Sequence, residues 1–328
     1  VQFSSLFNFG SFPTKKCGKL ELTFNGNRCI MRDKSKIFFL VAAMLLFSAY
    51  SLLAQNLRVY TSAHPDDWQL FMNPHAYHSL KAEGTKVVFI HTTAGDAGSG
   101  TGFNNYYLAR EEGSLRAIRF MCNTLGDKTR LGTDMKPEKV TVNGHAVQKF
   151  SYGKAVAYFL RLPDGNGNGA GYTHTDSASL KKFNEGTIKK ISAIDGSTTY
   201  ISLDDLKKTI ASIIEVEAGE KGAIELNIAE TDSSINPGDH SDHMNTSLIF
   251  QDVAKGLNVV TINFFSEYST NKKEYNITGD DFLISAGTWG ATASGLSDYS
   301  HYSTWDSGHN AWIGRQYFRT VTIPQKGK

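Results

Sequence analysis

Cysteine is scarce in this chain, and its scarcity narrows the fold. The 328 residues hold three: Cys17, Cys29 and Cys122. The first two precede a stretch that reads as an export leader, so Cys122 alone remains in the expected mature part. One thiol closes no internal disulfide, which excludes a disulfide-stapled secreted scaffold and predicts a buried core cysteine. Charge of one sign is also missing. A formal net charge of +2 with no basic stripe gives no footing for a nucleic-acid partner. No internal repeat or linker divides the chain. The Gly/Asn-rich stretch LPDGNGNGAGY (residues 162–172) lacks the Gly-Lys-Ser/Thr ending of a phosphate loop and is a loop by composition.

What is present begins at the N-terminus. Met31 is followed by RDKSK and by the apolar run IFFLVAAMLLFSAYSLLA, residues 37–54. A short basic segment, an apolar stretch and a small residue before Gln55 predict a secretory signal over 31–55, with an uncleaved membrane anchor as the alternative. Residues 1–30 are expected to be an upstream start-site artefact. Without residues 1–55, which hold seven Lys/Arg and two Asp/Glu, 27 basic and 30 acidic groups remain, a net of −3. Export to a bacterial periplasm or the exterior is the expected location. Any membrane contact is expected only through an uncleaved leader.

Beyond the leader the pattern alternates. LRVYTSA (57–63) and TKVVFIHTTAG (85–95) read as strands flanking a helical segment that ends in KAEG. A strand, a helix and a strand in about thirty residues make a βαβ unit, and unbroken apolar strands suit a sheet covered on both faces. YYLAREEGSLRAIRFM and SLDDLKKTIASIIEVEA, the latter capped by Ser202, have helical spacing. AIELNIAE reads as a strand, SDHMNTSLIFQDVAKG as a helix and NVVTINFF as a strand. The expected fold class is α/β, a Rossmann-like three-layer fold with a mostly parallel sheet. Its domain spans 56–270, and an aromatic-rich C-terminal extension, 271–328, packs on the same domain. In such sheets function gathers where strands end, and His64–Asp67, Thr92–Gly98 and Glu230–His243 all follow strands.

The stretch SAHPDDWQL sets two carboxylates side by side, where they repel unless a positive charge or a proton intervenes. PGDHSDHMN adds His240 and His243 nearly one helical turn apart. Catalytic zinc keeps three nitrogen or oxygen ligands and one open place, a count met by His64, Asp67 and His243. Asp66 is then left beside the metal to take a proton from activated water. His240 is expected to stay protonated, stabilising an oxyanion or protonating a leaving amine. Asp242 is placed to orient one of the rings through its distal nitrogen. These donors do not separate zinc from Fe2+ or another divalent metal.

In order, SAHPDDWQL, TTAGDAGSG, LAREEGSLRA and GDHSDHMN resemble the LmbE-like, or PIG-L, zinc deacetylases, from about Leu57 to Phe265. The resemblance implies a Rossmann-like fold and hydrolysis of the N-acetyl group from an N-acetylglucosamine-containing substrate. By motif it implies His64, Asp67 and His243 as zinc ligands, Asp66 as general base and His240 as second catalytic histidine. Arg110 falls where the family has a substrate-binding arginine, and Asp164 is a weaker candidate for binding sugar hydroxyls. Asp96 joins them as a substrate-side candidate because it follows a strand. Trp68 stands where the family has Glu, Ser241 where it has Pro, and Gly238 where some relatives supply a tyrosine. Two rivals stay open: hydrolysis of a non-sugar N-acyl compound, and a glycan-binding protein that retains the metal site without turnover.

Plainer readings stand beside these. HPDD alone is a turn, Arg110 with Glu111 and Glu112 is a solvated helix face, and Asp96 caps its loop. His75, His78, His91, His145, His174 and His301 have no partner pattern and are assigned to structure or surface. Trp68 reads as a buried aromatic. His309, Trp305 and Trp312 lie in an aromatic tail that either packs as core or lines a sugar pocket.

Overall fold

A computed structural model describes residues 56–126, 135–219 and 222–324. The segments assigned to the leader and to the upstream artefact lie outside the described residues. Among the described residues no helix is long and apolar enough to cross a membrane.

Strand β1 (Asn56–Ser62) pairs in parallel with β2 (Thr85–Thr93), and β2 with β5 (Ala155–Leu162). On its other side β1 pairs in parallel with β8 (Ile224–Ala229), which pairs with β9 (Val259–Phe265). Antiparallel strands finish both edges. β4 (His145–Tyr152) and β3 (Pro137–Val142) extend beyond β5, and β10 (Phe318–Thr322) lies beyond β9. The eight-stranded order is β10-β9-β8-β1-β2-β5-β4-β3. From β1 the chain passes to β2, crosses to the edge strand β3, works back through β4 to β5, and then crosses to β8 on the other side of β1. The C-terminal end of β1 therefore borders the crevice where the order reverses.

Alternation explains the unbroken apolar runs. Val59, Val88, Ile90, Val156, Tyr158 and Leu226 face one layer, formed with the helices α5 (Leu203–Ala218) and α6 (Ser241–Ala254). Tyr60, Val87, Phe89, Ala157 and Phe159 face the other, formed with α1 (Asp67–Phe71), α2 (His75–Lys81), α3 (Tyr106–Thr124) and α7 (Gly279–Asp298). A strand with helices on both sides has no polar face to offer, so hydrophobicity is continuous. Ser202 caps α5, its hydroxyl accepting the Asp205 N–H at 3.1 Å. Cys122 is buried on α3. A small two-stranded sheet, β6 (Ile191–Ser192) and β7 (Thr199–Tyr200), and the short helix α4 (Leu180–Asn184) lie between β5 and α5.

Two features differ from the sequence reading. The segment between β1 and β2 is two short helices, because Pro74 lacks the N–H that a continuous helix needs. The C-terminal extension begins with a 20-residue helix, α7, which takes in the Gly- and Ser-containing stretch 285–298. Its glycines serve helix packing. A Cβ at Gly295 would lie 2.4 Å from the Gly113 nitrogen of α3, and one at Gly113 would lie 2.8 Å from the Thr292 carbonyl. The two backbones meet where neither helix carries a side chain. Residues 271–328 thus supply a main helix of one layer and the edge strand β10.

Gly295→Val forces α3 and α7 apart against backbone atoms that cannot yield. Overpacking of this kind costs about 1–3 kcal/mol, and urea unfolding is expected to show a lower midpoint with an unchanged slope.

Candidate metal centre and active site

Five strand ends feed one crevice. β1 is followed by His64–Asp67, β2 by Asp96, β5 by Asp164, β8 by Asp239–His243 and β9 by Glu267 and Tyr268. The HPDD turn folds back on itself. Asp67 Oδ2 accepts the His64 backbone N–H at 2.7 Å, which aims Oδ1 into the crevice 3.4 Å from His64 Nδ1. His243, in the first turn of α6, brings Nε2 to 3.2 Å from His64 Nδ1 and 3.2 Å from Asp67 Oδ1. These three atoms form a nearly equilateral triangle. Tetrahedral donors at 2.0–2.1 Å from a zinc ion would be separated by about 3.3 Å. The two imidazoles and the carboxylate fit a divalent ion without rearrangement. His64, His240 and His243 also bring ring nitrogens within 4.8 Å of one another.

The field in the crevice is negative and poorly screened. Burial alone would lower the His64 pKa, but Asp67, Asp242 and Asp164 outweigh it and push it up to about 10. His243 is likewise raised against its burial by Asp67, Glu267 and Asp239. Asp67 is held well below the usual carboxylate range, despite burial, by the two imidazoles. Such a field retains positive charge, whether protons or a metal cation.

Around the triangle lies a layer of orienting groups. His243 Nδ1 is 2.9 Å from Asp239 Oδ1 and 2.5 Å from Glu267 Oε2. Burial, with Asp239 adding to it, pushes Glu267 up to about 8 against the pull of His243. Asp242 is buried, its Oδ2 3.5 Å from His64 Nε2 and accepting the Gly165 N–H at 2.7 Å. Asp242, expected to orient the ring of His240 or His243, instead lies beside the distal nitrogen of His64. Asp239 and Glu267 escaped the sequence reading. Asp239 is four residues before His243 within the quoted motif, and Glu267 is two residues past an apolar strand; each position was visible.

Asp66 is gripped by Arg110, whose guanidinium also donates to the Gly95 carbonyl at 2.6 Å. A Cβ at Gly95 would lie 2.5 Å from that guanidinium, and Gly95 has φ +57°, so only glycine leaves Arg110 room. Arg110, expected to bind substrate, is here the partner that fixes Asp66. Asp96, also expected on the substrate side, is fully buried. Its oxygens accept the Gly100 and Asp164 backbone N–H groups at 2.8 and 3.2 Å, so it joins two loops. Asp164 accepts from Ala97 and Asn166 and lies 3.9 Å from His64 Nε2, beside the triangle. His240 departs from the expected charged state. Its Nδ1 accepts the Asp242 N–H at 3.1 Å. Burial and the neighbouring His64 and His243 push it down to about 3, so the ring is neutral.

Trp68 is fully buried and donates to Ser114 Oγ at 3.0 Å. Ser114 Oγ is 3.1 Å from His91 Nε2, and His91 Nδ1 is 3.2 Å from the Tyr158 carbonyl. This chain sets a neutral His91 with its proton on Nδ1. Burial lowers its pKa to about 4. A folded value below the unfolded one of about 6.5 means that His91 contributes fully above that pH and less as pH falls towards 4. Unfolding free energy measured across that window is therefore expected to fall less steeply in His91→Gln than in the parent. Equal slopes would show that His91 carries none of the dependence.

No family model matches the chain, and no curated protein does. Among solved structures, it is similar to the N,N'-diacetylchitobiose deacetylase from Pyrococcus horikoshii. The match covers 89% of this chain and 94% of that one, at 13% identity and a TM-score of 0.44.

Proposed function

We propose that this chain is a metal-dependent amide hydrolase that removes an N-acetyl group, with an N-acetylglucosamine-containing molecule as substrate and zinc as the metal. The observation that carries the reading is the triangle of His64 Nδ1, Asp67 Oδ1 and His243 Nε2 with Asp66 held beside it. The four sequence motifs support the same chemistry and supply the choice of substrate. The apolar leader over 31–55 supports export.

A divalent ion in the triangle would acidify water to a pKa of about 7 and polarise the substrate carbonyl. The protein's own groups do the rest. Arg110 occupies one oxygen of Asp66 and keeps the carboxylate oriented, so the other oxygen takes the proton of the attacking water. His240 enters neutral, with Nδ1 occupied by the Asp242 N–H. Its proton therefore sits on Nε2, where it donates a hydrogen bond to the developing oxyanion. A neutral imidazole has no spare proton for the amine, so the proton collected by Asp66 is returned to the departing nitrogen. Asp239, Glu267 and Asp242 hold the rings of His243 and His64 in place.

Purified protein is expected to carry one divalent ion per chain and to release acetate from N-acetylated sugars. A chelator should abolish that release. Asp66→Asn should keep its metal content and lose at least about a hundredfold in turnover. Chelator-insensitive turnover, or an Asp66→Asn rate equal to the parent's, overturns the mechanism. Activity confined to non-sugar amides removes the sugar assignment.

A further inference from the structure

Arg110 grips Asp66 from the start of α3, so its reach depends on where that helix stands. The next residue, Glu111, reads in the sequence as part of a solvated helix face, yet it is only 2% exposed. Both of its carboxylate oxygens are taken by Arg161 of β5. Arg161 Nε donates to Oε1 and Nη2 to Oε2, each at 2.7 Å, a bidentate pair. Arg161 Nη1 donates to Asp195 Oδ2 at 2.7 Å, in the turn between β6 and β7. The same guanidinium lies 5.5 Å from the centre of the Tyr107 ring.

The backbone beneath this side chain is strained. Arg161 has φ +55°, and among the described residues it alone combines a left-handed backbone with a place inside a strand. The pairing of β2 with β5 slips there: His91 faces Phe159, but Thr93 faces Leu162. Leu160 and Arg161 together oppose Thr92, the count of a β-bulge, where a left-handed residue is ordinarily glycine. A Cβ is disfavoured in that conformation, so the contacts of the guanidinium must hold it. Beyond the bulge the Leu162 carbonyl accepts the Ala94 N–H at 2.8 Å, and Asp164 follows two residues later. The ion pair therefore joins the helix that carries Arg110 to the strand end that carries Asp164.

We propose that Glu111 and Arg161 are positioning residues for the proton transfer: their ion pair fixes Arg110 against Asp66 and so sets the direction of the free Asp66 oxygen. The assignment rests on the hydrolase reading above and adds a strut, remote from the metal triangle, on which the general base depends. Stability alone does not account for the arrangement. Glycine at 161 would relieve the backbone, and apolar side chains commonly replace a buried ion pair without loss.

The test uses the double variant Glu111→Gln/Arg161→Gly. Glu111→Gln removes the charge that Arg161→Gly would strand, and glycine suits the backbone at 161. With N-acetylglucosamine as substrate, kcat is expected to fall about tenfold while KM and metal content are retained. Glu111→Gln alone, the milder change, should move kcat in the same direction. Arg110→Met should lower kcat further, and adding the double variant to it should cost nothing more, because the pair acts only through Arg110. A parent-like kcat in the double variant, or losses that multiply with Arg110→Met, overturns the proposal. Phenylglyoxal labelling of Arg110, read by peptide mass spectrometry, tests the strut without turnover. Arg110 should label severalfold faster in the double variant, while Arg116 on the same helix labels as in the parent. That result in a protein that hydrolyses no amide would keep the strut and sink the hydrolase reading. Unchanged labelling of Arg110, or equal acceleration at Arg116, overturns the strut.

Discussion

Burying Asp67, Asp164, Asp242 and Glu267 in one crevice concentrates negative charge where water screens it poorly. An uncompensated buried carboxylate costs several kcal/mol, and the surroundings can be understood as compensation. Backbone N–H groups of His64, Ala97, Asn166 and Gly165 are turned towards carboxylate oxygens. Arg110 neutralises Asp66, and His64 and His243 stand among the others. Local donors satisfy part of this carboxylate set, while Asp242 Oδ1 and Glu267 Oε2 are buried without a hydrogen-bond partner. The result is a concentrated preference for positive charge at the centre, shaped by three donor atoms.

The sheet makes that concentration possible. Parallel strands send successive connections out of the same edge, so acids distant in sequence arrive together. β1 lies between β2 and β8, and its HPDD turn therefore meets loops from both halves of the chain. The rigidity of these loops comes from links between them. Asp96 joins the β2 and β5 loops, and Asn236 Oδ1 accepts the Glu267 N–H at 3.0 Å, joining β8 to β9. Catalytic groups need positions fixed to a fraction of an ångström, and strand ends cross-linked by buried side chains provide them.

Much of this was legible in the sequence where a local pattern coincides with a local structure. The apolar runs of β1, β2, β8 and β9 are strands because both faces are covered. The Ser202 cap starts α5 where expected, and the HPDD and HxxH motifs do meet. Legibility ended where tertiary context reverses a local preference. Gly287, Gly290 and Gly295 argue against a helix by propensity, yet Gly295 allows the crossing of α3 and α7. Residues 137–162 received no assignment, although they form the β3–β5 meander. Arg110 and Asp96 were placed on the substrate side, but only coordinates show that the terminal nitrogens of Arg110 meet Asp66 and Gly95 and that Asp96 ties the neighbouring loops together. The charge of His240 depends on its burial and on His64 from the β1 loop as well as on nearby His243, a combination that no short window of sequence contains.

The glycine contact between α3 and α7 has a further meaning. α3 carries Arg110, the clamp on Asp66, and Ser114, the link between Trp68 and His91. Its outer side rests on a helix from the last fifth of the chain, and Arg116 reinforces the seam by donating to the Ser294 carbonyl at 3.1 Å. The C-terminal portion is therefore not a detachable module. A lineage that trimmed or exchanged it would unseat the proton-handling end of the crevice, so this segment and the catalytic loops are bound to change together.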